Sequence, residues 1–146
     1  MKKLVMLLTL LLTVAGSSLC FAADGGDLNK QQKAVEVIID ALNGDPVPEY
    51  SALTPLISKS LDQNMGAKGF AALQKAVKEK FGTLKEAKFF SFQRFDQADS
   101  VTYVGSFTKE NIVTMQFIFD KQNKMLDLTL SPYKAPEKAP AQEEKK

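Results

Sequence analysis

Apolar residues follow one rhythm in the first half of the chain and another in the second. Over Lys30–Asn43, Ala34, Val35, Ile38, Ile39 and Leu42 form a single stripe at helical spacing, closed by Asn43-Gly44-Asp45-Pro46. Asp27 or Asn29 is the expected N-cap. Pro46 and Pro48 mark a turn, and Glu49–Leu53 fits one short helical turn. Thr54-Pro55 reads as a capping hydroxyl followed by a first-turn proline. The helix it starts, Pro55–Asn64, carries Leu56, Ile57 and Leu61 on one side. Gly66 interrupts. A third helix spans Lys68–Phe81, with Phe70, Leu73, Val77 and Phe81 on its apolar side and Gly82 at the left-handed C-cap position.

From Lys88 onward the period changes to two. Lys88–Phe95, Ser100–Phe107, Asn111–Asp120 and Lys124–Ser131 are four strands rich in Phe, Val, Ile, Tyr and Thr. Their links are short and polar, which predicts an antiparallel meander. Alternation sends Val113, Met115, Phe117 and Phe119 to the buried face, and Ile112, Thr114, Gln116 and Ile118 to the other. In the last strand Leu126, Leu128 and Leu130 are expected to face in, with Asp127 and Thr129 out. In the first strand regular alternation pairs Phe90 with Phe92 and Phe89 with Phe95. Both pairs cannot serve one core, so one apolar face is left over. The expected fold is α+β, with N-terminal helices on one face of a curved four-stranded antiparallel sheet.

The two ends fall outside this pattern. Lys2 and Lys3 precede the apolar run Leu4–Val14, and Cys20-Phe21-Ala22 leads to a cleavage site after Ala22. The run of about eleven residues is too short to span a bilayer, which takes about twenty. Residues 1–22 are therefore read as a signal peptide, and the mature chain as exported, periplasmic or secreted. Lipid anchoring through Cys20 would need a small residue before the cysteine, and Leu19 stands there. A retained N-terminal anchor is the third alternative. Residues 23–29 read as a flexible N-terminus, 30–132 as one domain, and 133–146, rich in Pro, Ala, Lys and Glu, as a disordered tail.

Composition then narrows the chemistry. The chain has no histidine, and its one cysteine, Cys20, leaves with the signal peptide. The mature chain thus lacks the parts for Cys–His or Ser–His nucleophilic sites, His- or Cys-ligated zinc and disulfides. Cleavage also removes two lysines, leaving equal numbers of basic and acidic residues. No basic stripe remains for nucleic acid or an anionic membrane. No calcium loop or phosphate-cradling glycine loop is present, so no cofactor and no metal is expected.

The segment Ala34–Pro132 resembles small exported bacterial domains of the uncharacterised DUF3887 type, within the NTF2-like, or cystatin-like, α+β class. The resemblance rests on the first helix ending in Asn43-Gly44-Asp45, on Leu73–Gly82 (LQKAVKEKFG), and on the hairpin Phe117-Ile118-Phe119-Asp120 with Lys124-Met125 and Leu128, ending at Pro132. It implies a cone-like fold and supplies no catalytic residue. The cystatin inhibitory hairpin Gln-x-Val-x-Gly is absent, since the nearest string is Val101-Thr102-Tyr103-Val104-Gly105 without the glutamine.

Because enzymes of that class work inside the cone, the resemblance raises a ketosteroid-isomerase-like alternative: a carboxylate base (Asp96 or Asp127) with a donor (Tyr103 or Tyr50) in an apolar pocket. The leading expectation is a non-enzymatic domain that binds a small apolar ligand or a protein partner through the sheet face or cone mouth. Phe90, Phe92, Tyr103, Met115 and Phe117 are its candidate ligand-binding residues. A structural homodimeric accessory module is the other alternative.

Overall fold

The computed structural model describes residues 26–44 and 49–133. Residues 1–25, 45–48 and 134–146, which include those read as a signal peptide, the Pro46/Pro48 turn and most of the C-terminal tail, lie outside the described residues. Helices α1 (Gly26–Asn43), α2 (Tyr50–Leu53) and α3 (Lys59–Lys80) precede strands β1 (Leu84–Arg94), β2 (Asp99–Phe107), β3 (Val113–Phe119) and β4 (Met125–Pro132). The strands form one curved, open antiparallel sheet in sequential order.

Helix α1 buries the stripe its spacing predicts, Ala34, Val35, Ile38, Ile39 and Leu42, together with Gln31. It begins at Gly26, four residues before Lys30, so Asp27 and Asn29 lie within the helix rather than capping it. At its other end Gly44 turns into the left-handed region (φ 76°) and donates to the Asp40 carbonyl at 3.0 Å. The Asn43 side chain then accepts from the Leu84 amide at 2.9 Å, fixing the end of α1 to the start of β1.

The Thr54-Pro55 signal does not start a helix. Thr54 donates to the Ser51 carbonyl at 2.9 Å, and the true N-cap is Ser58, whose hydroxyl accepts from the Leu61 amide at 3.1 Å. The segment between is used as sheet. Ile57 pairs in parallel with Met125, the Met125 amide donating to Leu56 and the Ser58 amide to Met125, at 2.8 and 2.9 Å. This single bridge consumes backbone groups that a continuing helix would have needed for itself. In α3 the expected break at Gly66 is present as a non-helical kink (φ 56°).

The core lies between the helices and the central strands. Val113, Met115, Phe117 and Phe119 of β3 and Val101, Tyr103 and Phe107 of β2 are buried against α1 and against Phe70, Val77 and Phe81. Two irregularities change the face assignments. In β4, Met125 pairs with Phe119 and Asp127 with Ile118, leaving Leu126 as an extra residue. Leu126 is consequently exposed, contrary to the alternation, while Met125 takes the buried place and Leu128 and Leu130 face in. In β1, Phe89 pairs with Tyr103 and Ser91 with Thr102, leaving Phe90 unpaired in a bulge. Tyr133, read as tail, extends the sheet by donating to the Ile112 carbonyl at 2.9 Å.

Both sheet edges are interrupted. Strand β1 is irregular at Lys85 and Phe90. Strand β4 is covered at Met125 by Ile57, its Leu128 amide is taken by the Asp127 carboxylate at 2.8 Å, and Pro132 has no amide hydrogen to offer.

Gly82 is the most constrained turn position. Its φ is +85°, and a Cβ there would stand 2.0 Å from the Thr108 hydroxyl. At Gly44 (φ +76°) no atom lies within 4 Å of such a Cβ. Gly82→Ala should therefore lose about 2–3 kcal/mol of unfolding free energy in urea titrations, against about 1 kcal/mol for Gly44→Ala, where only backbone strain acts. Equal losses would show that the Thr108 contact is relieved without cost.

Candidate functional site

Among the described residues, side chains pack closely between helices and sheet. The cavity bordered by Ile39, Leu42, Val77, Phe107, Met115 and Leu130 measures about 10 Å³, at most the room of one water. Four of the five candidate ligand residues contribute to this packing. Met115 and Phe117 are fully buried, Tyr103 meets Phe89 and Phe117 edge-on at 5.8 and 6.2 Å, and Phe92 lies half-buried against the core. Phe90 stands apart from them. The bulge turns it to the opposite face, where it is 70% exposed. The expected Phe90/Phe92 and Phe89/Phe95 pairings are therefore replaced. Phe89 and Phe92 face the helices, Phe90 faces away, and Phe95 is exposed just beyond the strand.

The parts of the pocket-enzyme alternative are not assembled. Asp96 and Asp127 are both exposed. Tyr103 is enclosed by aromatic rings, and burial pushes its pKa up. Tyr50 donates to Asp62 at 2.7 Å, and burial together with that carboxylate pushes it up to about 12. Among the described residues, the hydrogen bonds do not join Asp96 or Asp127 to either tyrosine.

The outer face of the sheet offers a different surface. The residues of β2 and β3 on this side are Thr102, Val104, Ser106, Thr114, Gln116 and Ile118, with Ser100 buried beneath them, none of them charged. Charge stands at the flanks, in the Glu86–Lys88 pair on β1 (3.1 Å) and Asp127 on β4. At one end Phe90, Val104, Ile112, Thr114 and Tyr133 enclose an open hollow of about 340 Å³. It runs from β1 to just past β4, with an aromatic ring at each end: Phe90 on β1 and Tyr133 directly after β4. Ile112 and Tyr133 are themselves 45% and 55% exposed. A partner would find an uncharged trough, half walled by rings and lacking any metal ligand. Among the described residues no group of three or more His, Cys, Asp or Glu could hold a metal.

At the opposite end of the sheet lies a polar cluster built on Asp99, which is 2% exposed. Gln31 donates through one amide nitrogen to Asp99 and to Asn123, both at 2.9 Å. Lys121 reaches Asp99 at 2.7 Å and Arg94 reaches it at 3.6 Å. Asp27 accepts from Asn123 and pairs with Arg94, each at 3.2 Å. Asn123 holds the left-handed turn position (φ 61°) between β3 and β4. Burial pushes the Asp99 pKa up, but the hydrogen bonds from Lys121 and Gln31 and the charges of Lys121 and Arg94 outweigh it. The carboxyl titrates below its usual range. Every Asp99 oxygen is already partnered, so the cluster clamps α1 to two turns rather than presenting a reactive group.

Alternation in the sequence places Ile112 and Thr114 on the outer face but does not join them to Val104 and Tyr133. The signal was Tyr133 directly following a strand and continuing its alternation. The signal for the clamp was Gln31, a polar residue in register with the apolar stripe of α1 (Ala34, Val35, Ile38).

A family model described as a protein of unknown function (DUF3887) matches residues 36–128, and the chain belongs to that family. No curated protein and no solved structure matches the chain.

The clamp sets a pH dependence. A folded-state pKa below the unfolded one contributes stability that is present above the unfolded value and lost as pH falls through the folded value. Stability should therefore drop as pH falls below about 4. Asp99→Asn should lose about 2 kcal/mol at neutral pH, with the gap to the parent closing in acid. Lys121→Ala, removing a partly exposed partner, should lose no more than about 1 kcal/mol. Denaturant titrations across pH read both, and a constant gap for Asp99→Asn down to acid pH would refute the assignment.

Proposed function

We propose that this member of the DUF3887 family is an exported, non-enzymatic binding domain that takes a protein partner on the outer face of its sheet. The apolar trough between Phe90 and Tyr133 is the centre of contact. One observation carries the reading: among the described residues the hollow on the outer face offers about 340 Å³, against about 10 Å³ for the cavity bordered by Ile39, Val77, Phe107 and Met115. A small ligand is favoured by enclosure, since ligand sites bury most of their ligand's surface. This hollow is shallow and open, a shape that suits an apolar side chain carried by a larger partner. Export is supported by the leader, Lys2-Lys3 before an apolar run and a small-residue site at Ala22.

A second copy is the favoured form of the structural alternative. Because the outward residues of β2 and β3 carry no charge, the face can meet itself without opposing like charges across a two-fold axis.

The surface is tested with the apolar dye anilinonaphthalene sulfonate on the mature chain. Fluorescence should rise under native conditions and fall back in Phe90→Ser, with thermal stability unchanged because Phe90 makes no core contact. An enhancement that ignores Phe90→Ser but responds to Met115→Ala would move the site inside the fold. Light scattering over a dilution series separates a dimer from a monomer. Export is tested by the intact mass of the protein secreted from a bacterial host: it should begin at Ala23 without lipid. A lipid-modified Cys20, or an uncleaved leader, would refute soluble export.

A further inference from the structure

Away from the outer face, one peptide bond stands out for its chemistry. Asn43-Gly44 is the only Asn-Gly step in the sequence, and it sits where α1 ends. We infer, independently of what the outer face binds, that Asn43 is a site of spontaneous deamidation, held closed by the contact between α1 and β1, and that the reaction once made releases that contact for good.

The pair of residues sets the chemistry. The Gly44 nitrogen, on giving up its proton, attacks the side-chain carbonyl carbon of Asn43. A bond forms between that nitrogen and Cγ, the bond from Cγ to Nδ2 breaks, and Nδ2 leaves with a proton as ammonia. The product is a five-membered imide. Water opens it at one carbonyl or the other, leaving aspartate, or isoaspartate in which the main chain runs through the former side chain. Glycine favours the attack because it carries no side chain to crowd its nitrogen.

The fold withholds both reactants. The Gly44 amide donates to the carbonyls of Asp40 and Ala41 at 3.0 and 3.2 Å, so its proton is engaged. The Asn43 side-chain oxygen accepts from the Leu84 amide at 2.9 Å, and Nδ2 lies 3.5 Å from the Leu84 carbonyl. Asn43 is the last residue of α1, and a helical Cβ tilts toward the helix N-terminus, away from the following nitrogen. Gln74 of α3 adds a tie to the same turn, donating to the Ala41 carbonyl at 2.6 Å. Against these bonds, Gly44 is exposed, and helix ends open more readily than helix centres. Reaction therefore follows opening of the last turn of α1.

The products do not close as before. The last turn of α1 has no basic residue, and Asp40 already stands there. Aspartate at position 43 adds negative charge at the negative end of the helix and loses the donor toward the Leu84 carbonyl. Isoaspartate draws the side-chain carbonyl into the main chain, so the group that accepted from Leu84 now has to carry the Gly44 turn.

Trypsin releases Ala34–Lys59 as a peptide in which Asn43 is the only amide side chain, so its conversion to acid is read by mass. The mature chain is incubated folded at mildly alkaline pH, beside that peptide free in solution. A net hydrogen bond is about a factor of five in an opening equilibrium, so the bonds at Gly44 and Asn43 predict conversion about twentyfold slower in the folded chain. Gln74→Ala should speed conversion of the folded chain about fivefold. Sub-denaturing urea gives the same readout without a substitution, since conversion should rise before the sheet unfolds. Chain converted to isoaspartate should exchange its Leu84 amide about fivefold faster than unconverted chain from the same incubation. A free peptide that stays unconverted overturns the site, and equal rates in peptide and folded chain overturn its closure. A rate that ignores Gln74→Ala and rises only with global unfolding overturns the route through the last turn. Unchanged Leu84 exchange after conversion overturns the release of the contact.

Discussion

One extra residue in β1 decides what each face of the sheet is made of. An eleven-residue strand with strict alternation would set Phe90 beside Phe92 and turn Phe89 away. The bulge at Phe90 resets the count, so Phe89 meets Tyr103 and Phe92 closes the core near Val101. The same step leaves Phe90 alone on the far side. Without it the aromatic run would have to choose between a depleted core and a bare outer face. The core is therefore complete without Phe90, and the outer trough gains a ring that folding does not require.

The second constraint works at the other end of the sheet. A carboxylate almost removed from water must be charge-balanced and fully hydrogen-bonded. Asp99 meets that demand with groups from distant segments: Gln31 on α1, Arg94 on β1 and Lys121 in the β3–β4 turn. Satisfying one buried oxygen pair thus fixes where the first helix begins relative to two turns. Hydrophobic burial between α1 and β3 supplies most of the favourable free energy, but it is nondirectional. The clamp at one end and the Asn43–Leu84 contact at the other give it a register.

The periodicities made the main elements legible. The stripe of α1, the inward row of β3, the break at Gly66 and the turn at Gly82 all follow from local spacing and backbone preference. What escaped did so for identifiable reasons. Thr54-Pro55 carries a sound local start signal, yet a strand contact with Met125, about seventy residues away, took its backbone groups. Bulges at Phe90 and Leu126 add a residue without any Gly or Pro to mark it, so alternation read past them gave the wrong face. The hollow joins residues of β1, β2 and β3 with Tyr133 just past β4, and is invisible until the register is known. Gln31 was visible as a polar interruption, but its partner Asp99 is sixty-eight positions away.

The treatment of the sheet edges bears on how such a chain behaves when crowded. Open strands recruit other strands through their backbones, whatever their side chains, and that is the route to fibrils. Here one edge is broken by bulges at Lys85 and Phe90. The other is occupied by Ile57, shielded by Asp127 and ended by Pro132. The edges thus offer few open backbone groups to another copy, and the face offers side chains instead. A face-to-face contact about a two-fold axis closes after one partner, whereas edge-to-edge pairing propagates, so an apolar face carries less risk of a polymer than an open edge would.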